Sequence, residues 1–275
     1  MKTSANPHDA QGRLRRIEGR HNALVKELRR AFAGGELTKE GCFAIEGLRI
    51  LEEAIRSGLK FRAVFFGSSA EAKAERLLPQ IGAHVETLSL PDKLFATAVP
   101  SESPQGVAAL VRFREYALEE VLARSPTGPL LVIAGVQDPG NLGTILRSGE
   151  AFSAGGVLLG QGTVSPFNPK VVRGSAGSVF RLPFARAHLT TAVAALRERG
   201  LRLVATSSHK GKPLPEARLT GPLAIFIGSE GAGLPKELLA QIDEVVAIPH
   251  SQDVESLNAG VAASIVLYEA ARQRK

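Results

Sequence analysis

From Pro129 onward, short apolar runs alternate with segments of helical period, and no other feature narrows the possible folds so far. Leu130–Val136, Gly156–Leu159, Leu201–Thr206, Leu223–Ile227 and Val245–Ile248 read as strands, with a shorter one at Arg181–Phe184. Leu142–Phe152, Pro169–Val179, Thr190–Gly200, Pro235–Ile242 and Ser256–Arg272 read as helices. Several strands are apolar at nearly every position. A strand with one solvated face alternates polar and apolar residues; a strand covered by helices on both faces need not. The second half therefore reads as a parallel sheet between helical layers, an α/β fold. Ligands of such sheets bind beyond the carboxyl ends of the strands. Chemistry is expected in the loops after Val136, Thr206, Ile227 and Ile248.

The first half carries the same alternation on a smaller scale. Cys42–Ile45, Ala63–Phe66, Val85–Leu88 and Gly106–Phe113 read as strands, and Leu48–Ser57, Ser69–Gln80 and Pro91–Ala96 as helices. Ahead of them, the spacing of Leu14, Ile17, Leu24, Val25 and Leu28 predicts a helix over Arg13–Phe32, ended by Gly34-Gly35. Its polar face would carry Arg15, Arg16, Arg20, Lys26, Arg29 and Arg30, either as a solvated face or as an arm that contacts phosphates. Residues 1–12 are polar and are expected to be disordered. Tyr116–Gly128 is a charged helical stretch closing in Ser125-Pro126-Thr127-Gly128, which is turn chemistry. The chain thus divides into a basic extension (1–40), a small α/β domain (41–113), a linker (114–128) and a larger α/β domain (129–275).

Formal net charge over the 275 residues is +7, the sign expected of a nucleic-acid binder. The single cysteine, Cys42, excludes an intramolecular disulfide and any multi-cysteine zinc site, and its apolar neighbours suit buried packing. With six dispersed histidines and no His-Glu-x-x-His pair, no metal is expected. There is no Trp, and Phe43, Phe61, Phe65 and Phe66 read as core rather than as stacking platforms. The N-terminus lacks a signal-peptide core and no run nears the ~20 apolar residues of a membrane span. A cytoplasmic protein is expected.

Three of the loops hold most of the unusual residues. The first is Asp138-Pro139-Gly140-Asn141-Leu142-Gly143-Thr144-Ile145-Leu146-Arg147. Here Pro139-Gly140 reads as a tight turn and Asn141 as a helix cap. Arg147 is either a solvated side chain or, on a helix that Ile145, Leu146, Ala151 and Phe152 mark as largely buried, a functional one. The second is Gly228-Ser229-Glu230-Gly231-Ala232-Gly233-Leu234-Pro235. Its glycines permit close backbone approach to a ligand. It is neither a dinucleotide fingerprint, because Glu230 holds the second glycine position, nor a P-loop. A plain strand-to-helix turn accounts for the glycines but not for Glu230, which would repel a phosphate and suits a cation. The third is Pro249-His250-Ser251-Gln252-Asp253-Val254-Glu255-Ser256-Leu257-Asn258-Ala259-Gly260-Val261-Ala262-Ala263. Ser256 reads as a cap, and Asn258 would need a partner if buried, since an unpaired amide costs about 1–3 kcal/mol.

Together these segments resemble the three signature motifs of the SpoU (TrmH-like, SPOUT superfamily) RNA methyltransferases: Asn-x-Gly-x-x-x-Arg, Gly-Ser-Glu-Gly-x-Gly-Leu, and Ile-Pro…Ser-Leu-Asn-x-x-Val-Ala-Ala. Pro169–Pro183 is similar to the family as well. Asn22–Leu28 and Phe43–Ala54 are similar to the substrate-binding extension of its ribosomal-RNA members. The departures lie in the third motif: His250 for a usual Met, Gln252 for a usual Gly, and Ala259-Gly260 for a usual Val-Ser.

The resemblance implies a catalytic domain whose C-terminal part threads a trefoil knot, preceded by a small α/β RNA-binding domain. It implies S-adenosylmethionine as cofactor, lined by Thr206, Gly228, Ile248 and Leu257, and a homodimer whose partners share catalytic groups. It gives Arg147 the central role in methylating a ribose 2′-hydroxyl, with Asn141, Glu230, Ser256 and Asn258 orienting it, the cofactor and the ribose. A guanidinium is hard to deprotonate, which favours Arg147 as a phosphate clamp over a base. Arg16, Lys26, Arg49 and Arg173 are the expected RNA contacts. The extension points to large-subunit ribosomal RNA rather than transfer RNA. Two rivals stand beside this: a non-catalytic RNA-binding homologue, and a nicotinamide-dependent oxidoreductase, which the missing Gly-x-Gly-x-x-Gly disfavours.

Overall fold

The computed structural model describes residues 13–101, 104–124, 128–208, 210–251 and 253–274. The expected disorder of residues 1–12, the turn at Ser125-Pro126-Thr127 and the departure at Gln252 lie outside the described residues. The chain forms two compact units. One holds the residues up to Arg114 together with Phe167–Val172; the other holds Glu115–Pro166 and the residues from Arg173 onward.

The first unit is built on β1 (Arg15–Arg16), β2 (Cys42–Glu46), β3 (Lys60–Gly67), β4 (Glu86–Leu90) and β5 (Val107–Arg112). Their order is β1-β4-β3-β5-β2. β1, β4 and β3 pair in parallel, and β5 runs antiparallel between β3 and β2. Helices α1 (Ala23–Gly34), α2 (Leu48–Arg56), α3 (Ala72–Leu77) and α4 (Asp92–Ala98) connect them. Val25, Leu28 and Phe32 of α1 join Phe95 of α4 over Phe65, Leu88 and Leu110 of the sheet. Phe43, Phe61, Phe65 and Phe66 are buried, as core residues should be.

The helix expected over Arg13–Phe32 begins only at Ala23. Asn22 sets that start, because its side chain accepts hydrogen bonds from the backbone N–H of Leu24 and Val25. The preceding residues go to the sheet instead. Arg15 and Arg16 pair with Leu88 and Ser89, and the Ile17 N–H donates to the Ser89 carbonyl at 2.9 Å. They satisfy the open edge of β4, which would otherwise expose unpaired backbone groups. The Arg13 guanidinium donates to the carbonyls of Leu78, Ile81 and Gly82. Arg15, Arg16 and Arg20 are thereby removed from the helix face they were expected to share with Lys26.

The second unit holds β6 (Leu130–Ala134), β7 (Gly156–Leu159), β8 (Phe184–Arg186), β9 (Arg202–Ser207), β10 (Lys212–Pro213), β11 (Leu223–Gly228) and β12 (Glu244–Ala247). The order is β10-β12-β9-β11-β6-β7-β8, and every neighbouring pair is parallel. Its helices are α5 (Leu118–Ala123), α6 (Pro139–Ala151), α7 (Pro169–Gly174, whose first residues group with the first unit), α8 (Ser178–Arg181), α9 (Leu189–Glu198), α10 (Lys236–Leu239) and α11 (Ala259–Arg272). The single helix expected over Pro169–Val179 is two, broken where Ala176 (φ 49°) and Gly177 (φ 89°) turn left-handed. From β6 the sheet grows to one side through β7 and β8, and to the other through β11 and β9. Strand order therefore reverses between β6 and β11, the switch point at which an open parallel sheet leaves a crevice. Among the described residues no helix is long and apolar enough to cross a membrane.

Candidate active site

The loops after β6 and β11 face each other across the switch point, and a chain of three side chains joins them. It begins at the start of α6. Asp138, not Asn141, caps that helix: its Oδ1 accepts from the Asn141 backbone N–H at 2.8 Å, and Pro139 takes the first helical position, where no N–H is needed. Pro139-Gly140 is thus the helix's first turn rather than a separate one. Relieved of capping, the buried Asn141 carboxamide donates through Nδ2 to Glu230 Oε1 at 2.8 Å. Its Oδ1 accepts from Asn258 Nδ2 at 2.7 Å. Asn258 in turn caps α11, its Oδ1 accepting from the N–H groups of Gly260 (2.9 Å) and Val261 (3.2 Å). Ser256, expected in that role, does not serve as the cap. Asn258 is exposed, so burial does not oblige it to find a partner; it nevertheless bonds to Asn141.

Glu230 is an exposed residue with a held carboxylate. Partial burial by itself pushes its carboxyl pKa upward. Hydrogen bonds from the Asn141 amide and from the backbone N–H groups of Glu230, Gln137 and Asp138 outweigh that, and the pKa lies below the usual carboxylate value. The charged form is the one this site stabilises.

Beside this chain lies a cavity of about 330 Å³, within the range of small-molecule sites. Thr206, Gly228, Ile248 and Leu257 all line it, and so do Glu230 and Ser256. Gly228 is obligatory here: a Cβ on it would stand 2.3 Å from the Gly233 carbonyl carbon. Ser229 and Gly233 close that loop with reciprocal backbone hydrogen bonds of 3.1 Å. Apolar walls, close-approaching backbone and a fixed carboxylate suit an elongated ligand with a cationic centre, which is the chemistry of S-adenosylmethionine.

The departures in the third motif have local reasons. Gly260 faces α6 so closely that a Cβ would lie 3.0 Å from Thr144 Cβ. One turn on, the Ser148 and Ser264 hydroxyls share a hydrogen bond of 2.7 Å, and a further turn on Phe152 meets Tyr268 edge to face. Small residues thus let α6 and α11 run side by side. His250 Nδ1 lies 2.7 Å from the Ile248 carbonyl oxygen, which tethers the ring beside the cavity it lines.

Arg147 stands apart. It is exposed on α6, it is not among the cavity-lining residues, and no hydrogen bond or ion pair engages it among the described residues. The expected RNA contacts are divided between the two units. Arg16 ends β1 and Arg49 lies in the first turn of α2, just after β2; these are the outermost strands of the first sheet, and Lys26 is exposed on α1. Arg173 is exposed in the second unit. Sequence reasoning assigned no role to Asp138, although an Asp-Pro pair ahead of an apolar run is a helix-start signal.

Fold and site together define an α/β protein with a small-molecule cavity beyond the carboxyl ends of β9, β11 and β12 of a parallel sheet, beside its switch point. Residues 128–268 match the SpoU rRNA Methylase family, and residues 22–109 match the MRM3-like substrate binding domain. The chain belongs to the SpoU family and is a methyltransferase. It is 33% identical over 256 residues (93% of this chain, 98% of the relative) to the 23S rRNA (guanosine(2553)-2'-O)-methyltransferase RlmP of Bacillus subtilis. An AdoMet-bound rRNA methyltransferase from Sinorhizobium meliloti has a TM-score of 0.83 at 28% identity, covering 95% of this chain and 98% of that one. AviRb from Streptomyces viridochromogenes in complex with AdoMet has a TM-score of 0.81 at 29% identity, covering 92% and 98%.

Proposed function

We propose that this protein methylates a ribose 2′-hydroxyl of large-subunit ribosomal RNA, using S-adenosylmethionine held by Thr206, Gly228, Ile248 and Leu257. The observation that carries the reading is the juxtaposition of that cavity with the Glu230–Asn141–Asn258 chain. The bound cofactor supplies an electrophilic methyl group on a sulfonium. The protein's part is to place a weak nucleophile in line with it, which is worth up to about 7–11 kcal/mol. Glu230 offers a fixed negative charge at the cavity wall. Asn141 and Asn258 lock the two loops and α11 together, so that the cavity and the start of α6 move as one. Ser256 contributes a hydroxyl at the cavity rim.

The working unit is a homodimer in the cytoplasm, joined through the α6–α11 face. Val261 (46% exposed) and Tyr268 (53% exposed) are large hydrophobics left open on α11, beside Arg147 on α6. An arginine that no described residue engages fits a clamp that engages RNA phosphate at the partner's cavity. The first domain, with Arg16, Lys26 and Arg49, and Arg173 in the catalytic domain select and hold the RNA. The C-terminal loops that form the cavity belong to the part of the chain expected to be knotted.

The test is incubation with methyl-labelled S-adenosylmethionine and unmodified large-subunit ribosomal RNA, with transfer RNA in parallel, followed by mapping of the label. Label on a ribosomal ribose is the expected result. Label on transfer RNA alone overturns the substrate, and no label with cofactor still bound favours a non-catalytic RNA-binding protein.

A further inference from the structure

A second cavity, of about 400 Å³, opens along the same edge of the catalytic sheet, beyond β7 and β8. Gly160, Gln161, Gly162 and Thr163 form one wall, and Arg186, Ala187 and His188 form another. None of these residues belongs to the three motifs, and the methyl-transfer chemistry above uses none of them.

This cavity is built rather than incidental. The Gly160 N–H donates to the Ile133 carbonyl at 2.8 Å, and the Val164 N–H to the Val136 carbonyl at 2.9 Å. Thr163 Oγ1 accepts from the Gly135 N–H at 3.1 Å and donates to the Ile133 carbonyl at 3.2 Å. The loop is therefore stapled to the segment that leads into Asp138 and Asn141. Gly160 packs tightly: a Cβ would stand 2.5 Å from Leu189 Cδ1 and 3.0 Å from the Ile133 carbonyl oxygen. On the far wall, Arg186 is anchored by Ser165 Oγ (3.3 Å) and by an ion pair with Glu115 (3.3 Å). An anchored guanidinium is a ready stacking plane. His188 sits at the N-terminus of the ten-residue α9, where backbone N–H groups lack helical partners.

The cavity is also next to the cofactor site. A Cβ on Gly162 would lie 3.8 Å from Gly135 Cα, and one on Gly135 would lie 3.7 Å from Ser229 Cβ. The loop after β6 is thus the partition between the two cavities. An RNA whose ribose reaches the methyl-transfer site passes this second opening with an adjoining nucleotide.

We propose that this cavity holds one unstacked nucleotide of the RNA substrate, a neighbour of the one that is methylated. The inference rests on the functional reading above. Sequence-specific RNA recognition works on splayed bases, stacked on arginine or histidine and hydrogen-bonded at their edges. The walls offer that set: Arg186 and His188 as planes, and Gln161, whose exposed side chain bonds to no other described residue, as a two-way hydrogen-bonding edge. The phosphate faces the N–H groups that begin α9.

The test uses the full-length protein and large-subunit ribosomal RNA transcripts substituted with 4-thiouridine or 6-thioguanosine. After irradiation, cross-linked nucleotides are mapped to peptides. Cross-links on residues 160–166 or 186–188 are expected; a map that omits both overturns the proposal, whether or not methyl transfer is detected. In parallel, Gln161→Ala raises the KM for the transcript about tenfold, with cofactor affinity and melting temperature unchanged. An unchanged KM overturns the proposal. Free nucleoside monophosphates form a third arm: binding that Gln161→Ala weakens, without RNA cross-links in the cavity, assigns the site to a free nucleotide and overturns the RNA assignment. Failure of the wild-type protein to methylate any RNA sinks the functional reading separately.

Discussion

Asn141 and Arg147 lie six residues apart on one helix and have opposite surroundings. Asn141 is buried, and both ends of its carboxamide are engaged by residues about 90 and 120 positions away in sequence. Arg147 is exposed, and no described residue engages it. A polar group that is buried and bonded at both ends contributes to the architecture of the site; truncating it removes the link between the loops. A long exposed cation that no described residue engages contributes little to the fold, so its loss tests the phosphate-clamp role proposed above. The two residues of one motif should therefore fail in different ways.

The largest effect is expected at Arg147. Arg147→Ala should lower kcat by about 10²–10³-fold, the usual cost of removing one preorganised electrostatic contact, while the melting temperature and cofactor affinity hold. A parallel fall in stability would erase the distinction from Asn141. The same variant asks whether the arginine serves its own cavity or its partner's. Arg147→Ala mixed with Gly228→Ala, whose Cβ would displace the Gly233–Leu234 backbone of the cavity loop, should recover roughly a quarter of wild-type activity if the proposed dimer shares its sites, because half the dimers are mixed and each carries one complete site. No recovery in verified mixed dimers would confine Arg147 to its own chain.

A smaller loss, shared between stability and activity, is expected at Asn141. Asn141→Ala removes two side-chain hydrogen bonds, but their partners Glu230 and Asn258 are exposed and can turn to water, so it should destabilise the protein by about 1 kcal/mol, read by denaturant unfolding. Cofactor affinity should fall with it, because Glu230 and Asn258 flank the cavity. Val261→Asp should act on the other side of the comparison, splitting the dimer in sedimentation without unfolding the chain. A variant that stays dimeric would move the interface away from α11.

The sequence made the catalytic sheet legible because parallel strands covered on both faces are apolar throughout, and runs such as Leu130–Val136 have few other uses. Thr206, Gly228, Ile248 and Leu257 came from the resemblance to the SpoU motifs, and the structure brings them to one cavity, the first three at or just beyond the carboxyl ends of β9, β11 and β12. Sequence reasoning misread Arg13–His21, whose apolar spacing suits a helix. Only the open edge of β4, a tertiary fact, draws Arg15 and Arg16 into a strand. It misassigned both caps for a related reason. Ser256 and Asn141 are good capping residues by type, but Asp138 and Asn258 hold the positions, and which polar residue caps a helix depends on where the loop leaves the sheet. The second cavity gave no sequence signal, since its walls come from loops that carry no motif.

The smallest effect, and the finest test of the Asn141 side, is the pH dependence of Glu230. Its carboxyl is held below the usual carboxylate value because donors outweigh burial, so the folded state favours the charged form more than the unfolded state does. That contribution is present at neutral pH and is lost as pH falls through the depressed folded value. Protonation would also replace a charged acceptor by a neutral one and weaken the hydrogen bond from Asn141 Nδ2. Glu230→Gln keeps an acceptor for Asn141 and removes the titration. The wild-type protein should therefore be the more stable of the two at neutral pH, with the gap closing in acid, and urea unfolding across that range reads it. The gap should be modest, because the carboxylate is solvent-exposed and screened. A gap that stays constant into acid would show that Glu230 is positioned by the loop alone, and that the charge does nothing for the network Asn141 anchors.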